Sequence, residues 1–421
     1  MINICVFEDI GYKHLMPLTF MRPAYDLLVG TTTLFDKINA QFGYGNMTLH
    51  CRDFLKPIVQ HTHPGIPINH VNTGAPCLFI NGRTIMTELL ADMIKSVDGT
   101  LNYLFVNHGQ IVAIYVQQDL IQATIELITQ LHSNDSIIKA LRHQCVAQEC
   151  SQAHIISYAW DLISHNATAM SSDFSLHPYP GTIKGHVSPF VSIINEKQVS
   201  IDQDVIIEDF VTLNAESGPI VIEKGAHIHS HSRIEGPVFI GKNSHIKGAR
   251  VTQSSIGPYC KIGGEVSNSI FLGYSNKAHD GYIGHSYIGQ WVNMGAMTTN
   301  SNLKNTYNTI KIQLPLFKEP VQTNEQFIGS MIGDHVKLGI GSLLNTGTVI
   351  GYGSSLYGST IHSGAIDPFS WGESGHYVRH DLSAFLTAAQ RMMSRRQLEL
   401  RDPEKKVISL LAEMAPTIQS V

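Results

Sequence analysis

Residues 222–246 read IEKGAHIHSHSRIEGPVFIGKNSHI and place an isoleucine at every sixth position: Ile222, Ile228, Ile234, Ile240 and Ile246. Aliphatic residues recur at the same interval in three further runs, 201–213, 256–262 and 332–356. A period of six matches neither the 3.6 of an α-helix nor the alternation of a strand, so a single amphipathic element cannot produce it. The pattern predicts a coil of flat faces joined by corners, in which each hexad supplies one face and points its aliphatic residue inward.

The repeat resembles that of the hexapeptide acyltransferases, whose hexads form a left-handed parallel β-helix. Glycine often follows the aliphatic residue, as at Gly241, Gly257 and Gly263, and glycine tolerates the backbone angles of a corner. The resemblance implies that residues 200–357 form such a coil. Residues 303–327 lack the repeat and are predicted to leave the coil as an extended loop, a place where binding groups are common.

A chain of 421 residues is longer than one hydrophobic core usually organises, so more than one domain is expected. Residues 1–149 alternate strand-like and helical patterns and are predicted to form an α/β domain resembling a nucleotidyltransferase. Residues 150–199 are predicted to be a linker, and residues 358–421 a helical tail that caps the open end of the coil.

Composition excludes several classes of function. The net charge is −5 and no long basic cluster occurs, so binding to nucleic acid is not expected. The six cysteines form no C-x-x-C pair, and the chain contains no apolar run long enough to span a membrane. We therefore predict a cytoplasmic protein with no membrane association.

The densest polar region, residues 273–305, also departs from the six-residue rule. Its segments KAHDGYIG (277–284) and VNMGA (292–296) resemble the acetyltransferase half of the bifunctional N-acetylglucosamine-1-phosphate uridylyltransferase/glucosamine-1-phosphate acetyltransferase family. The resemblance implies that His279 is the catalytic base. It implies sugar-phosphate contacts at Tyr282, Asn293 and Asn302, and a site for acetyl-CoA at Ala296 and Ser330.

This chemistry is reasonable on independent grounds. An ammonium group cannot attack a thioester, and histidine is the side chain whose ordinary pKa suits it to accept the proton near neutral pH. Phosphate recognition needs fixed cations. By the family resemblance, Arg250, expected on the coil below His279, aligns near a phosphate-binding arginine, and Lys304 or Lys311 could reach from the protruding loop. The family has a lysine pair where this chain has Ser267 and Asn268, so the sugar phosphate is not identified.

The first domain resembles a variant bacterial group of the same enzymes through the segment FEDIGYKHLMPLTFMRP (7–23) and through INGRTI (80–85). The usual glycine-rich triphosphate loop is absent, and Arg83 stands in the region of a magnesium-binding aspartate. Arg22, Lys37 and Asn81 are the candidate nucleotide-binding residues. An active domain and a degenerate binding domain both remain open.

Two sets of histidines bear on metal binding. His227, His229 and His231 alternate along one predicted strand, but no acidic residue is adjacent in sequence, so we interpret them as exposed or intersubunit histidines and predict no metal site. A gamma-type carbonic anhydrase shares the coil and binds zinc through three histidines; His279 and His285 supply two candidates, without a third at a matching spacing.

The predicted function is N-acetylation of an amino-sugar phosphate resembling glucosamine 1-phosphate, with acetyl-CoA as co-substrate. It would be coupled to uridylyl transfer from UTP if the first domain is active, and Mg²⁺ would be needed only then. The alternatives are a sugar-1-phosphate nucleotidyltransferase and a non-catalytic nucleotide-sugar-binding trimer. The family resemblance implies a homotrimer.

Overall fold

The computed structural model describes residues 2–177, 179–358 and 360–414. The chain divides into two compact units. The N-terminal unit comprises Met1–Leu15, Met21–Leu27 and Thr32–Tyr158, and the coil unit comprises Met16–Phe20, Leu28–Thr31 and Ala159–Val421. Two short segments from the region predicted as the first domain therefore belong to the coil unit.

The N-terminal unit is built on a six-stranded mixed sheet. Its strands lie in the order Met47–His50, Asn3–Phe7, Cys77–Asn81, Gln110–Val116, Tyr103–Asn107 and Val146–Glu149. The helices are α1 (Leu34–Phe42), α2 (Lys56–Thr62), α3 (Glu88–Lys95), α4 (Gln118–Thr129) and α5 (Asn134–Leu141), with 3₁₀ helices at Ile10–Leu15, Ala24–Asp26 and Asp53–Leu55. Short strands lie at Leu28–Val29, Thr32–Thr33, Thr84–Ile85 and His154–Ile155.

The sequence explains why two of these elements form. The strand Asn3–Phe7 is buried at all five positions, as expected for a central strand covered on both faces. Helix α1 begins at a capping box, in which the Thr33 side chain accepts from the Asp36 N–H and the Asp36 carboxylate accepts from the Thr33 N–H.

The coil unit is a left-handed parallel β-helix with three faces, which we call A, B and C. Face A consists of Val199–Ile201, Ile220–Ile222, Val238–Ile240, Ser255–Ile256, Ile270–Gly273, Tyr287–Gln290, Met331–Ile332, Val349–Ile350 and Ala365–Ile366. Face B consists of His186–Val187, Ile206–Ile207, His227–Ile228, His245–Ile246, Lys261–Ile262, Asn276–Lys277, Asn293–Met294, Lys337–Leu338, Ser355–Leu356 and Ser370–Glu373, closed by the antiparallel strand His376–Arg379. Face C consists of Ser192–Ile194, Thr212–Asn214, Arg233–Glu235, Arg250–Thr252, Glu265–Ser267 and Tyr282–Gly284, continued by Thr299–Asn300, Leu343–Leu344 and Ile361–His362.

The coil is therefore longer than the predicted interval 200–357, because its first strands precede residue 200 and its last ones follow residue 357. The parallel register confirms the six-residue pattern: Ile207 pairs with Ile228, which pairs with Ile246. These aliphatic side chains are fully buried and stack along the axis. Corners place non-glycine residues in the left-handed region, as at Tyr274 (φ 54°) and Trp291 (φ 61°), whose rings stack 4.5 Å apart.

The interruption at 303–327 leaves the coil, as predicted, and carries a two-stranded hairpin formed by Lys311–Ile312 and Val321–Gln322. The predicted linker contains helix α6 (Ala159–Ser175), which packs against face A through Met170 and Phe174 on Val221 and Phe239.

The predicted C-terminal helices are confirmed as α7 (Leu382–Ser394) and α8 (Asp402–Met414). Helix α7 does not cap the end of the coil. Its Phe385 packs on Phe369, and Arg396, just past its end, donates to the side chain of Asn276 several rungs away, so the segment runs along the side. None of the helices described here has the length and apolarity needed to cross a bilayer.

Candidate functional site at one corner of the coil

His279 lies in the turn that joins Asn276–Lys277 on face B to Tyr282–Gly284 on face C, and its side chain is exposed. The preceding Lys277 occupies an inward position, in register with Ile262. Its Nζ donates to the carbonyl oxygens of Gly263 at 3.1 Å and His279 at 2.5 Å. A buried lysine therefore anchors the main chain that carries the imidazole.

Ala296 lies on the turn stacked directly against the His279 turn. The Met297 N–H donates to the Asp280 carbonyl at 2.8 Å, and the Ala296 carbonyl accepts from Gly341 at 2.8 Å. Within the described residues, no hydrogen bond of the Ala296 N–H to another residue is found. An uncommitted amide one coil away from a histidine is a suitable donor for an oxyanion.

Tyr282 is the centre of a hydrogen-bonded cluster on face C. Its hydroxyl shares a 3.0 Å hydrogen bond with Ser267 and accepts from the Asn302 side-chain amide at 2.9 Å. The same amide lies 2.9 Å from Nδ1 of His285, whose ring stacks on Phe327 with a centroid distance of 5.2 Å. The structure thus brings together the predicted residues Tyr282 and Asn302.

Sequence reasoning missed three members of this region. Ser267 was noted only as a departure from a lysine pair, Lys277 only as the first residue of the KAHDGYIG segment, and Phe327 carried no functional signal. Lys277 was recognisable in principle, because a lysine stands there at the position that aliphatic residues occupy in neighbouring hexads.

The packing around Tyr282 depends on Gly284. A Cβ at position 284 would lie 2.1 Å from the Tyr282 hydroxyl oxygen, which is too close for any carbon atom. The next residue in the chain, His285, lines a cavity of about 230 Å³ together with Gln253, Asn268 and Phe327. His285, which shares the Asn302 amide with the Tyr282 hydroxyl, therefore connects the tyrosine to this cavity.

Two predicted sugar-phosphate contacts lie elsewhere on the coil. Asn293 is exposed on face B and accepts from the Asn276 side chain at 3.4 Å. Arg250 does not lie on the coil directly below: it pairs with Glu265, which in turn pairs with Tyr282, so it is two rungs away. The expected position of Arg250 was therefore wrong by one rung, and its guanidinium lies 3.4 Å from Glu235.

The remaining coil candidates differ in access. Lys304 is partly exposed at the start of the loop, and its carbonyl accepts from the Tyr307 N–H at 2.9 Å. Ser330 is fully buried, and its N–H donates to the Ser286 hydroxyl at 2.9 Å. Its buried side chain presents no exposed atom to a ligand, and the contact of Ser330 with acetyl-CoA stays a prediction.

In the N-terminal unit, two acidic residues at the end of strand Asn3–Phe7 are buried and paired with arginines. Asp9 accepts from Arg83 Nε at 2.7 Å and Nη2 at 2.6 Å, and from the Asn81 amide at 3.0 Å. Glu8 accepts from Arg52 Nε at 2.9 Å and Nη2 at 3.2 Å. The predicted nucleotide-binding residue Asn81 is fully buried and is part of this internal network.

The other predicted nucleotide-binding residues, Arg22 and Lys37, are also buried. The Arg22 carbonyl accepts from Arg52 at 3.1 Å, and Lys37 Nζ donates to the Thr32 hydroxyl at 3.0 Å. Mg²⁺ is bound in proteins through oxygen ligands, and carboxylates are the side chains that supply them. The carboxylates of Glu8 and Asp9 do not fit such an ion, because each is paired with a guanidinium.

The zinc hypothesis involving His279 and His285 has no geometric support. Over the described part of the chain, the group of three residues that is spaced to hold a metal ion contains neither of them. That group is His227, His229 and His245.

Replacing Lys277 by methionine tests its buried state. Burial lowers the pKa of Lys277 to about 8, against roughly 10.4 in an unfolded chain. Between these values the unfolded state binds more protons, so wild-type stability rises with pH across this window because of Lys277. We expect Lys277→Met to be more stable at pH 7 and to lack this rise.

The measurement is urea unfolding at pH 7 and pH 10, monitored by tryptophan fluorescence, because all three tryptophans lie in the coil unit. Lys337, whose pKa burial lowers to about 7, titrates in both proteins and cancels in their difference. An identical pH dependence in the two proteins would contradict the buried state of Lys277.

Comparison with known proteins gives matches to two kinds of transferase. Residues 4–178 match the sugar nucleotidyl transferase family. The chain is 32% identical over 163 residues to a bifunctional sugar-1-phosphate nucleotidylyltransferase/acetyltransferase of Sulfurisphaera tokodaii, covering 37% of this chain and 38% of that protein. It is 30% identical over 131 residues to the bifunctional protein GlmU of Rippkaea orientalis, covering 26% of this chain and 28% of that protein. The chain thus matches well under half the length of these relatives.

Among solved structures, similarity is found to a mutant of AntD, an N-acyltransferase from Bacillus cereus, in complex with dTDP and coenzyme A. The sequence identity is 14%, the match covers 50% of this chain and 88% of that chain, and the TM-score is 0.17. At this TM-score, no conclusion about the present chain follows.

Proposed function

We propose, with the similarity to bifunctional sugar-1-phosphate nucleotidylyltransferase/acetyltransferases as the premise, that the coil unit acetylates the amine of a sugar phosphate resembling glucosamine 1-phosphate. The observation that carries the proposal is the pair of stacked turns holding His279 and Ala296, which are joined by the hydrogen bond from Met297 to Asp280. Acetyl-CoA is the co-substrate and supplies the thioester.

Each side chain has a defined role in this proposal. His279 accepts the proton that the attacking amine must lose, because its imidazole is exposed at the corner while its main chain is anchored by Lys277. The Ala296 N–H stabilises the charge that develops on the thioester oxygen as the C–N bond forms. When the C–S bond breaks, the carbonyl re-forms and CoA leaves as a thiolate, which takes up the proton that His279 accepted from the amine. Tyr282 and Asn302 bind the sugar, and Lys304 binds the phosphate from the base of the loop.

The distribution of these residues over two faces supports a homotrimer as part of the proposal. Asn293 lies on face B and Tyr282 on face C, so one coil presents them on different surfaces. Neighbouring coils packed side by side would place face B of one chain against face C of the next. A site that uses both residues is then shared between subunits, as in the family that the sequence resembles.

The direct test is release of CoA when the full chain is incubated with acetyl-CoA and glucosamine 1-phosphate. We expect release that depends on both substrates, with N-acetylglucosamine 1-phosphate as the product. No release above the background without sugar, for glucosamine 1-phosphate and for other amino-sugar phosphates, would reject the acetyltransferase proposal.

Replacing Tyr282 by phenylalanine tests the sugar site separately from the base. The variant loses the hydroxyl that joins Ser267 to Asn302 and, in this proposal, a hydrogen bond to the sugar. One such bond is worth roughly 1 kcal/mol, or about five-fold in binding. We expect the KM for glucosamine 1-phosphate to rise by that factor or more, while kcat changes less. Tyr307→Phe, at a tyrosine that is 67% exposed, is the matched control and is expected to keep the wild-type KM. An unchanged KM in Tyr282→Phe would show that the hydroxyl does not contribute to binding the sugar phosphate.

The second candidate function is nucleotidyl transfer by the N-terminal unit, favoured by the family match over residues 4–178. Against it stands the pairing of Glu8 and Asp9 with arginines, which leaves neither carboxylate suited to a magnesium ion. Incubation with UTP, Mg²⁺ and N-acetylglucosamine 1-phosphate distinguishes the cases: release of pyrophosphate supports transfer. Binding of UDP-N-acetylglucosamine without turnover supports a nucleotide-sugar-binding domain.

A further inference from the structure

Three histidines outside the acetyl-transfer corner converge on face B. His227 and His245 stand directly opposite each other on neighbouring rungs, and His229 follows His227 after one inward residue. A ligand nitrogen from each of the three lies within 4.8 Å of the others. All three side chains are partly buried. The histidine pattern in the sequence did not predict this group, because His245 comes from the next coil.

A carboxylate from the preceding coil holds two of these imidazoles. Oε1 of Glu208 lies 2.7 Å from His227 Nε2 and 3.1 Å from His229 Nδ1. Oε2 accepts from the Ser230 N–H at 2.9 Å and from its hydroxyl at 3.0 Å. The acidic partner that the sequence seemed to lack is supplied by the fold.

This carboxylate determines which nitrogen of His229 is free to bind a metal. A proton on Nδ1, directed at Glu208, leaves the lone pair on Nε2. That Nε2 lies 3.3 Å from Nδ1 of His245. Two nitrogens bound to a tetrahedral zinc ion at about 2.0–2.1 Å are separated by roughly the same distance. The pair is therefore spaced as two ligands of one ion.

Nearby charged groups both favour and oppose the binding of a cation at this site. The Glu208 carboxylate beside His227 and His229 favours a bound cation. Lys247 acts on both rings and Lys261 on His245, and these cations oppose the binding of an ion. The affinity must therefore come from nitrogen coordination, which excludes Mg²⁺ and Ca²⁺ and favours Zn²⁺ and related ions.

We propose that His227, His229 and His245 bind one zinc-class divalent ion per chain, with Glu208 orienting His227 and His229 as a partner outside the coordination sphere. The three nitrogens come from neighbouring strands of one coil, so the fold itself brings the ligands together. The ion would join two rungs of face B at a distance from the His279 corner.

His231 provides a matched control within the same segment. It follows the cluster by one residue, is exposed at a corner with φ 64°, and stacks on Phe210 with a centroid distance of 5.7 Å. It does not belong to the group of three. A His231→Ala variant therefore removes a histidine from the surface without removing a ligand.

The experiment is calorimetric titration of the untagged, EDTA-treated full chain with Zn²⁺, together with visible absorption on addition of Co²⁺. We expect one Zn²⁺ per chain and tetrahedral Co²⁺ bands in the wild type and in His231→Ala. Glu208→Gln should bind about 10- to 100-fold more weakly, and His245→Ala more weakly still. Mg²⁺ should give no binding heat and should not displace Co²⁺.

The absence of Zn²⁺ binding by the wild type would overturn the proposal, and so would equal binding by wild type and His245→Ala. Displacement of Co²⁺ by Mg²⁺ would overturn the assignment to the zinc class. Far-UV circular dichroism of the metal-free proteins checks that each variant is folded. If His245→Ala does not fold, His245→Gln replaces it, because glutamine retains a polar side chain of similar reach but is a poor zinc ligand.

Discussion

Replacement of His279 by asparagine is expected to lower kcat for acetyl transfer to glucosamine 1-phosphate by roughly 10²–10⁴-fold, the usual contribution of a general base. The side chain is exposed, so its loss leaves the core of the coil intact. The turn remains anchored, because Lys277 donates to the main-chain carbonyl of residue 279 and not to its ring. The KM for the sugar phosphate is expected to change little. Steady-state measurement of CoA release gives both constants.

The matched control is His186→Asn. His186 is an exposed histidine on the first strand of face B, far along the coil from the His279 turn, and its replacement should leave kcat unchanged. A wild-type kcat in His279→Asn would show that His279 is not the general base. A parallel loss of kcat in the control would mean that the effect is not specific to position 279.

Replacement of Arg83 by leucine is expected to destabilise the N-terminal unit by about 3–5 kcal/mol, because it leaves the Asp9 carboxylate buried without its partner. Both side chains of this pair are only 3% exposed. Burial raises the pKa of Asp9, but the charge and hydrogen bonds of Arg83, with further bonds from Asn81 and Gly11, outweigh it and lower the pKa overall. The pair therefore contributes stability above the unfolded pKa, and this contribution is lost as the pH falls through the folded pKa.

The measurement for Arg83→Leu is hydrogen exchange of the strand Asn3–Phe7 at neutral and acidic pH. Protection should fall strongly at neutral pH and less under acidic conditions, where Asp9 is protonated. Tryptophan fluorescence reports on the coil unit alone and should not change, since all three tryptophans lie there. Arg142→Leu, at an exposed arginine of the same unit, should shift stability by no more than about 0.5 kcal/mol.

A second variant separates the buried charge from lost packing. Replacing both partners, as in Asp9→Leu with Arg83→Leu, removes the uncompensated charge and is expected to restore part of the stability. If the double variant is as unstable as Arg83→Leu alone, packing and not charge explains the effect. If Arg83→Leu costs less than about 1 kcal/mol, the ion pair is not a structural element of this unit.

Several features of the site could be predicted from the sequence because they depend on residues that are close together in the chain. His279, Ala296 and Tyr282 lie within a short stretch, and the coil repeat places such neighbours on consecutive turns. The burial of Ser330 and the extra rung between Arg250 and Tyr282 could not be predicted from the sequence. They depend on how many residues each coil uses at its corners, and the hexad rule does not specify this where the register breaks.

The coil, its protruding loop and the corner at His279 could be predicted from the sequence, because an inward aliphatic residue recurs every six positions and each repeat needs only its neighbours to form a face. The pairing of Asp9 with Arg83, 74 residues away, and the meeting of Glu208 and His245 with His227 and His229 became visible only in the folded chain. Such contacts join residues that are distant in the chain, and no local period records which side chains the fold brings within hydrogen-bonding distance.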